Sequence, residues 1–158
     1  MSFNQAIGGA IASVNDEVAR QTPGSEVVID GKVYQYVKFD NGTANVASAA
    51  NAVAYWLTPS SYTVTSDVSD SSANRPAGVF LGVLTDGYYG WVQKKGYIAA
   101  LVCSSTLTVS IGDAIIVDTA ADGKGLKMTA GTAWTNVVVG FALGNGTPTA
   151  AAAYLVMD

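Results

Sequence analysis

From Glu26 onward, the hydrophobic periodicity changes to two, the period of a strand with one face buried. Val27-Val28-Ile29, the pair Asp30-Gly31, and Val33 to Phe39 predict a β-hairpin, because Asp-Gly supplies the positive φ of a tight connection. Asp40-Asn41-Gly42 ends the second strand by the same chemistry. The alanine-rich piece from Ala44 to Leu57 is ambiguous, since alanine favours helix. Val53, Tyr55 and Leu57 nevertheless alternate and predict a strand for its second half. Pro59-Ser60-Ser61 turns the chain into a β-branched strand, Tyr62 to Thr65, and Ser66 to Pro76 is a polar, turn-rich loop.

The rest of the chain repeats this alternation. Strands are predicted at Val79–Leu84 and Tyr88–Gln93 around Thr85-Asp86-Gly87. Lys94-Lys95-Gly96 predicts a further turn into Tyr97–Cys103. Thr106–Ile111, Ala114–Asp118, Leu126–Met128, Asn136–Leu143 and Ala151–Met157 complete the set, with Gly112-Asp113, Ala121 to Gly125 and Gly144 to Pro148 as breaks. About ten short strands at roughly 8–12-residue spacing predict an all-β barrel or sandwich in one domain over residues 26–158.

Residues 1–25 differ. Ile7, Ile11, Val14 and Val18 recur at helical spacing, although Gly8-Gly9 costs about 1 kcal/mol per residue against alanine, and Pro23-Gly24 ends the pattern. The segment is a short helix or loose tail, or else an arm that orders only against a partner.

Composition narrows the chemistry. Hydrophobic residues make up 49% of the 158 and charged ones only 13%. Such a chain has the apolar content to build a core, and is neither a disordered chain nor a coiled coil. Eight basic residues against twelve acids leave a net charge of −4, so no phosphate-neutralising surface and no nucleic-acid partner is expected. No apolar run exceeds about eight residues, against about twenty for a membrane helix, so no membrane partner is expected. The first nineteen residues hold no lysine or arginine and so no signal-peptide n-region; synthesis in a cytosol is expected.

Histidine is absent, which removes the commonest general base and the commonest metal ligand. Cys103 is the single cysteine, in an apolar run, and reads as a structural thiol. Asp67 and Asp70, and Asp118 and Asp122, sit in loops that lack the spacing and closing glutamate of a calcium loop, and read as turn aspartates. Gly82 to Gly87 lacks the lysine and hydroxyl of a phosphate-binding loop. Asn41-Gly42-Thr43 and Asn145-Gly146-Thr147 match the glycosylation pattern and read as Asn-Gly turns. Trp56, Trp91 and Trp134, with Tyr34, Tyr36, Tyr55, Tyr62, Tyr88, Tyr89, Tyr97 and Tyr154, either fill the core and interfaces or line a carbohydrate or peptide groove. The twelve acids allow many spatial pairs of carboxylates, as glycoside hydrolysis would need, and nothing in the sequence selects one of them; no cofactor or metal is expected.

Tyr62-Thr-Val-Thr-Ser-Asp67 and Asn74-Arg-Pro-Ala-Gly-Val-Phe-Leu-Gly-Val-Leu-Thr-Asp-Gly-Tyr-Tyr-Gly-Trp-Val-Gln93 resemble the capsid cement (decoration) proteins of tailed bacteriophages. Gly96-Tyr97, Ile111-Gly-Asp113, Ala121 to Met128 and Val139 to Leu143 follow the same running pattern, so the resemblance spans about Tyr55 to Asp158. It implies a compact β-barrel or β-tulip related to the head-stabilising protein of phage lambda, with a less regular N-terminal arm. It implies a virion protein on the capsid exterior that clamps neighbouring major capsid subunits after head expansion, as a homotrimer at three-fold or quasi-three-fold positions. The family carries no catalytic residues. Phe3, Ile7 and Ile11 are the expected apolar anchors of a capsid-binding arm, and loss of residues 1–25 is expected to leave a folded domain. The competing reading is a phage fibre or receptor-binding module that holds a host glycan on its exposed aromatics.

Overall fold

The computed structural model describes residues 11–70, 75–104, 108–129, 138–147 and 149–158. The alternating stretches fold as strands β1 (Glu26–Ile29), β2 (Lys32–Phe39), β3 (Val53–Thr58), β4 (Thr63–Thr65) and β5 (Pro76–Phe80). After these come β6 (Tyr89–Val102), β7 (Ala114–Val117), β8 (Gly125–Lys127), β9 (Val138–Ala142) and β10 (Ala150–Val156). The first hairpin forms as expected, with Asp30 at φ 50° and Gly31 at φ 75°. Positive φ at both central residues matches the twist of the flanking strands.

Hydrogen bonding runs β2-β4-β3-β5-β6 and returns from β6 to β2, which closes a five-stranded barrel. The β2–β4 seam is parallel, with Lys38 opposite Thr63 and Phe39 opposite Val64; β3 lies in the connection between them. All five barrel strands send side chains inward: Val37 and Phe39, Ala54 and Trp56, Val64, Ala77 and Phe80, and Val92. Because strand residues alternate in direction, Tyr36 and Trp91 point the other way and build a separate cluster with Ile11 and Ile29.

Strand β6 outlasts the barrel. At 14 residues it pairs with β2 and β5 in its first half, then carries the sheet β6-β10-β9-β7-β8. A further core lies between that sheet and the outer side of the barrel, with Val53, Tyr55 and Val79 meeting Ile98, Leu101, Ile115, Val139 and Leu155. The second sheet also curls toward closure: Cys103 bridges Gly125, and the Ser104 amide donates to the Gly125 carbonyl at 2.8 Å.

Four expected boundaries shift. Lys94-Lys95-Gly96 is not a turn but a bulge inside β6, because Val33 pairs with Lys95 and Tyr34 with Gln93, leaving Lys94 as the extra residue. Gly96, at φ 96°, absorbs the distortion, and buried Gln93 spans it by donating from Nε2 to the carbonyls of Lys95 and Tyr97, each at 3.1 Å. The strand expected at Val79–Leu84 lies earlier, at Pro76–Phe80, since Leu84 is held in a loop by Ser48. The Ser48 hydroxyl accepts from the Leu84 amide at 2.7 Å and donates to its carbonyl at 3.0 Å. Of the strand expected at Thr106–Ile111, Thr108 to Ser110 has no ladder partner and instead packs Val109 into the core. The helical spacing near the N-terminus yields, among the described residues, only a 3-10 turn at Ile11–Ser13. From there the chain pairs as an isolated bridge, Asp16 with Tyr89, so Val18 is left 75% exposed. No helix among the described residues is long and apolar enough to cross a membrane.

Candidate functional site

The loop aspartates stitch loops together. Asp70 accepts from the Thr43 amide at 2.5 Å and its hydroxyl at 3.0 Å, and Asp67 accepts from the amides of Ala44 and Ser69. Asp122 accepts from the Val68 amide and Asp118 from the Ala120 amide, each at 2.9 Å. The Asp67–Ser69 and Asp118–Ala120 bonds are local Asx turns, whereas those to Thr43, Ala44 and Val68 join loops distant in sequence. Asp40, Gly42, Thr43, Leu57 and Asp70 line a shallow depression of about 470 Å³. Among the described residues, no group of three or more His, Cys, Asp or Glu side chains converges as a metal-ligand set.

Asp67 is 1% exposed, and hydrogen bonds from the Ser69 hydroxyl, then from backbone amides, hold its carboxyl below the usual range despite opposition from burial. A lowered folded-state pKa gives stability that is present above the unfolded value, near 3.9, and is lost as pH falls through the folded one. Asp67→Asn is therefore expected to be less stable than wild type at pH 7. Urea melts at pH 7 and pH 3 check this: the gap between the proteins should narrow at the lower pH, and a constant gap would show that ionisation is not involved. Cys103 is buried and its thiol is pushed up to about 11, first by burial, so it is a structural thiol rather than a nucleophile.

The residues expected as capsid anchors divide. Phe3 and Ile7 lie outside the described residues, whereas Ile11 is 4% exposed and packs with Ile29, Tyr36 and Trp91. Residues after it are tied to the barrel. Asp16 and Tyr89 exchange both backbone hydrogen bonds at 2.8–2.9 Å, and the Tyr36 hydroxyl donates to the Asp16 carboxylate at 3.0 Å. Asn15 makes two bonds at 2.9 Å to Thr85, one as donor and one as acceptor. Ile11 thus has an intramolecular role.

The aromatics divide between the interior and the surface. Tyr36, Tyr55, Trp56 and Trp91 are buried, and Trp134 lies outside the described residues. Trp91, with Gln21, Ser25, Glu26 and Val27, lines a cleft of about 240 Å³, where Glu26 is already paired with Lys94 at 2.7 Å. Tyr97 and Tyr154, each 47% exposed, face outward and stand opposite one another across β6 and β10. Tyr154 is also opposite Phe141 on β9, itself 46% exposed. Phe141 was absent from the expected set. The run Val139 to Leu143 reads as a strand, but an extra residue on β9 at Val139 puts that side chain in the core and Phe141 outside, which simple alternation does not show. The three rings belong to one solvent-facing sheet surface, built by register alone.

No protein-family model matches the chain, and no curated protein matches it. Among solved structures, the crystal structure of the head fiber gp8.5 N base in bacteriophage phi29 is similar, with a TM-score of 0.48 at 15% sequence identity over 80% of this chain and 94% of that chain.

Proposed function

We propose that this chain is a structural protein of a bacteriophage head, bound to the outside of the expanded capsid, where it ties neighbouring major capsid subunits together as a homotrimer at three-fold or quasi-three-fold positions. The observation that carries this reading is the position of the cement-like sequence pattern in the fold. Pro76–Phe80 is β5 and Tyr89–Gln93 opens β6, two adjoining staves of the barrel, and Ala77, Val79, Phe80, Trp91 and Val92 are all buried there. The likeness to cement proteins therefore lies in residues that set the architecture. On this reading the chain stabilises a shell through contact area repeated by symmetry, with no reacting centre.

Expanded heads assembled without the chain, mixed with the purified protein and sedimented, test the proposal. The protein is expected to co-sediment at a fixed ratio to the capsid subunit and to raise the temperature at which the heads disrupt. Absence from the pellet would overturn it. Light scattering before and after binding tests the trimer.

The packing of Ile11 also moves the truncation that tests the arm. Removing residues 1–10 is expected to leave the melting temperature within a few degrees while weakening head binding. Removing residues 1–25 strips the cover from Tyr36 and Trp91 and is expected to cost about 2–5 kcal/mol of stability, the scale of a buried isoleucine with its neighbours. Parallel thermal melts and sedimentation separate the two effects. Full head binding by the shorter truncation would remove Phe3 and Ile7 as anchors.

A further inference from the structure

The outer face of β9-β10-β6 is an apolar surface whose surroundings specify what covers it. Phe141, Tyr154 and Tyr97 stand in register across three adjacent strands. Leu143, 49% exposed, and Val156, 37% exposed, extend it. Ala99 and Ala152 fill in with small apolar side chains. Two ion pairs stand at its margin. Lys95 pairs with Asp158 at 2.7 Å and lies opposite Val156, and Lys127 pairs with Asp113 at 2.8 Å beside Ala114, the partner of Phe141. Lys32 differs: its ammonium lies 5.8 Å from the centre of the Tyr97 ring, and no ion pair is formed by it among the described residues. The surface is thus an apolar centre with a charge-balanced margin and one unbalanced cation.

That arrangement selects among occupants. A sugar needs polar side chains that converge on its hydroxyls; here the centre offers only two phenols beside the Phe141 ring and aliphatic groups. Three half-exposed aromatics present roughly 200–350 Å². Even with Leu143 and Val156 added, the face falls well below the ~800 Å² per partner that holds two free proteins together. A contact of that size becomes effective when many are made at once, as on a closed shell.

We propose that this face receives a capsid subunit: an apolar segment of the subunit covers Phe141, Tyr154 and Tyr97 and sets a carboxylate against Lys32. The proposal rests on the head-protein reading above and names the surface through which it operates.

The test uses the full chain and expanded heads assembled without it. The double variant Phe141→Ser, Tyr154→Ser is expected to bind about tenfold or more weakly than wild type. Lys32→Glu is expected to weaken binding and to reduce its dependence on salt. Because Cys103 is buried, a single surface cysteine gives a footprint free of background. Ala99→Cys is expected to react with a maleimide in the free protein and to be protected on heads, while Ser60→Cys, exposed in the turn Pro59–Ser61 on the barrel, stays reactive in both. The footprint also decides the matter if the double variant does not fold. Wild-type binding that is matched by the variants, with Ala99→Cys still labelled on heads, overturns this surface and leaves the head-protein reading standing. Failure of wild type to bind heads overturns both. Retention of wild type, but not the double variant, on an immobilised glycan overturns the proposal in favour of a sugar platform.

Discussion

Phe80→Ala is expected to remove about 3–5 kcal/mol of stability, the range for truncating a buried aromatic, and to lower the melting temperature by on the order of 10 °C. The ring is fully buried in the barrel and meets Phe39 edge to face, with centroids 5.5 Å apart and planes at 88°. The cost belongs at the upper end because a closed ring of hydrogen-bonded strands cannot easily contract around the void. Phe80 is fixed by its backbone as well. Its amide donates to the Ala52 carbonyl at 3.0 Å and its carbonyl accepts from the Asn51 amide at 2.8 Å. Urea unfolding measures the change, with Val28→Ala on exposed β1 as a comparison expected within about 0.5 kcal/mol of wild type. A loss below about 1.5 kcal/mol for Phe80→Ala would show that the barrel relaxes more freely than its closure implies.

Gly140→Ala is expected to cost about 1–3 kcal/mol, by overpacking rather than by a cavity. Gly140 lies in β9 between Leu155 on β10 and Ile115 on β7. A methyl group there would press on the Tyr154 carbonyl oxygen, with the Tyr154 carbonyl carbon at 3.1 Å and the Leu155 Cα at 3.2 Å. These are backbone atoms and cannot rotate away, so β9 and β10 must part. Gly144→Ala is the matched comparison, since the nearest atom to its new methyl is the Ala152 Cβ at 3.8 Å. Thermal melts of the two variants should separate clearly; equal melts would refute the close approach of β9 and β10. The Gly140 variant should also weaken binding to heads, because it displaces Phe141 from Tyr154.

Local chemistry made much of the fold legible. Asp30-Gly31 announced its hairpin because only certain residues tolerate two consecutive positive φ values. The alternation through Val33–Phe39, Val53–Leu57 and Ala151–Met157 gave strands close to their observed limits. What escaped was decided between distant segments. Lys94-Lys95-Gly96 has the composition of a turn, and only the ladders with β2 and β10 on its two sides make it a bulge. The return of β6 onto β2, which converts a sheet into a barrel, has no signature in either strand by itself. The same limit applied to the surface. Tyr97 and Tyr154 were visible as candidates, but their meeting with Phe141 depends on cross-strand register. The helical spacing of Ile11 and Val14 was real as a pattern of apolar residues; Tyr36 and Trp91 satisfied it without a helix.

The length of β6 has a mechanical corollary. One unbroken run of backbone, Tyr89 to Val102, is gripped along its flanks by β2 and β5 at one end and by β10 beyond the bulge. Tension drawn along that axis loads these ladders in shear, so their bonds must yield as a group instead of peeling one by one. The strand acts as a tie rod between the barrel and the second sheet.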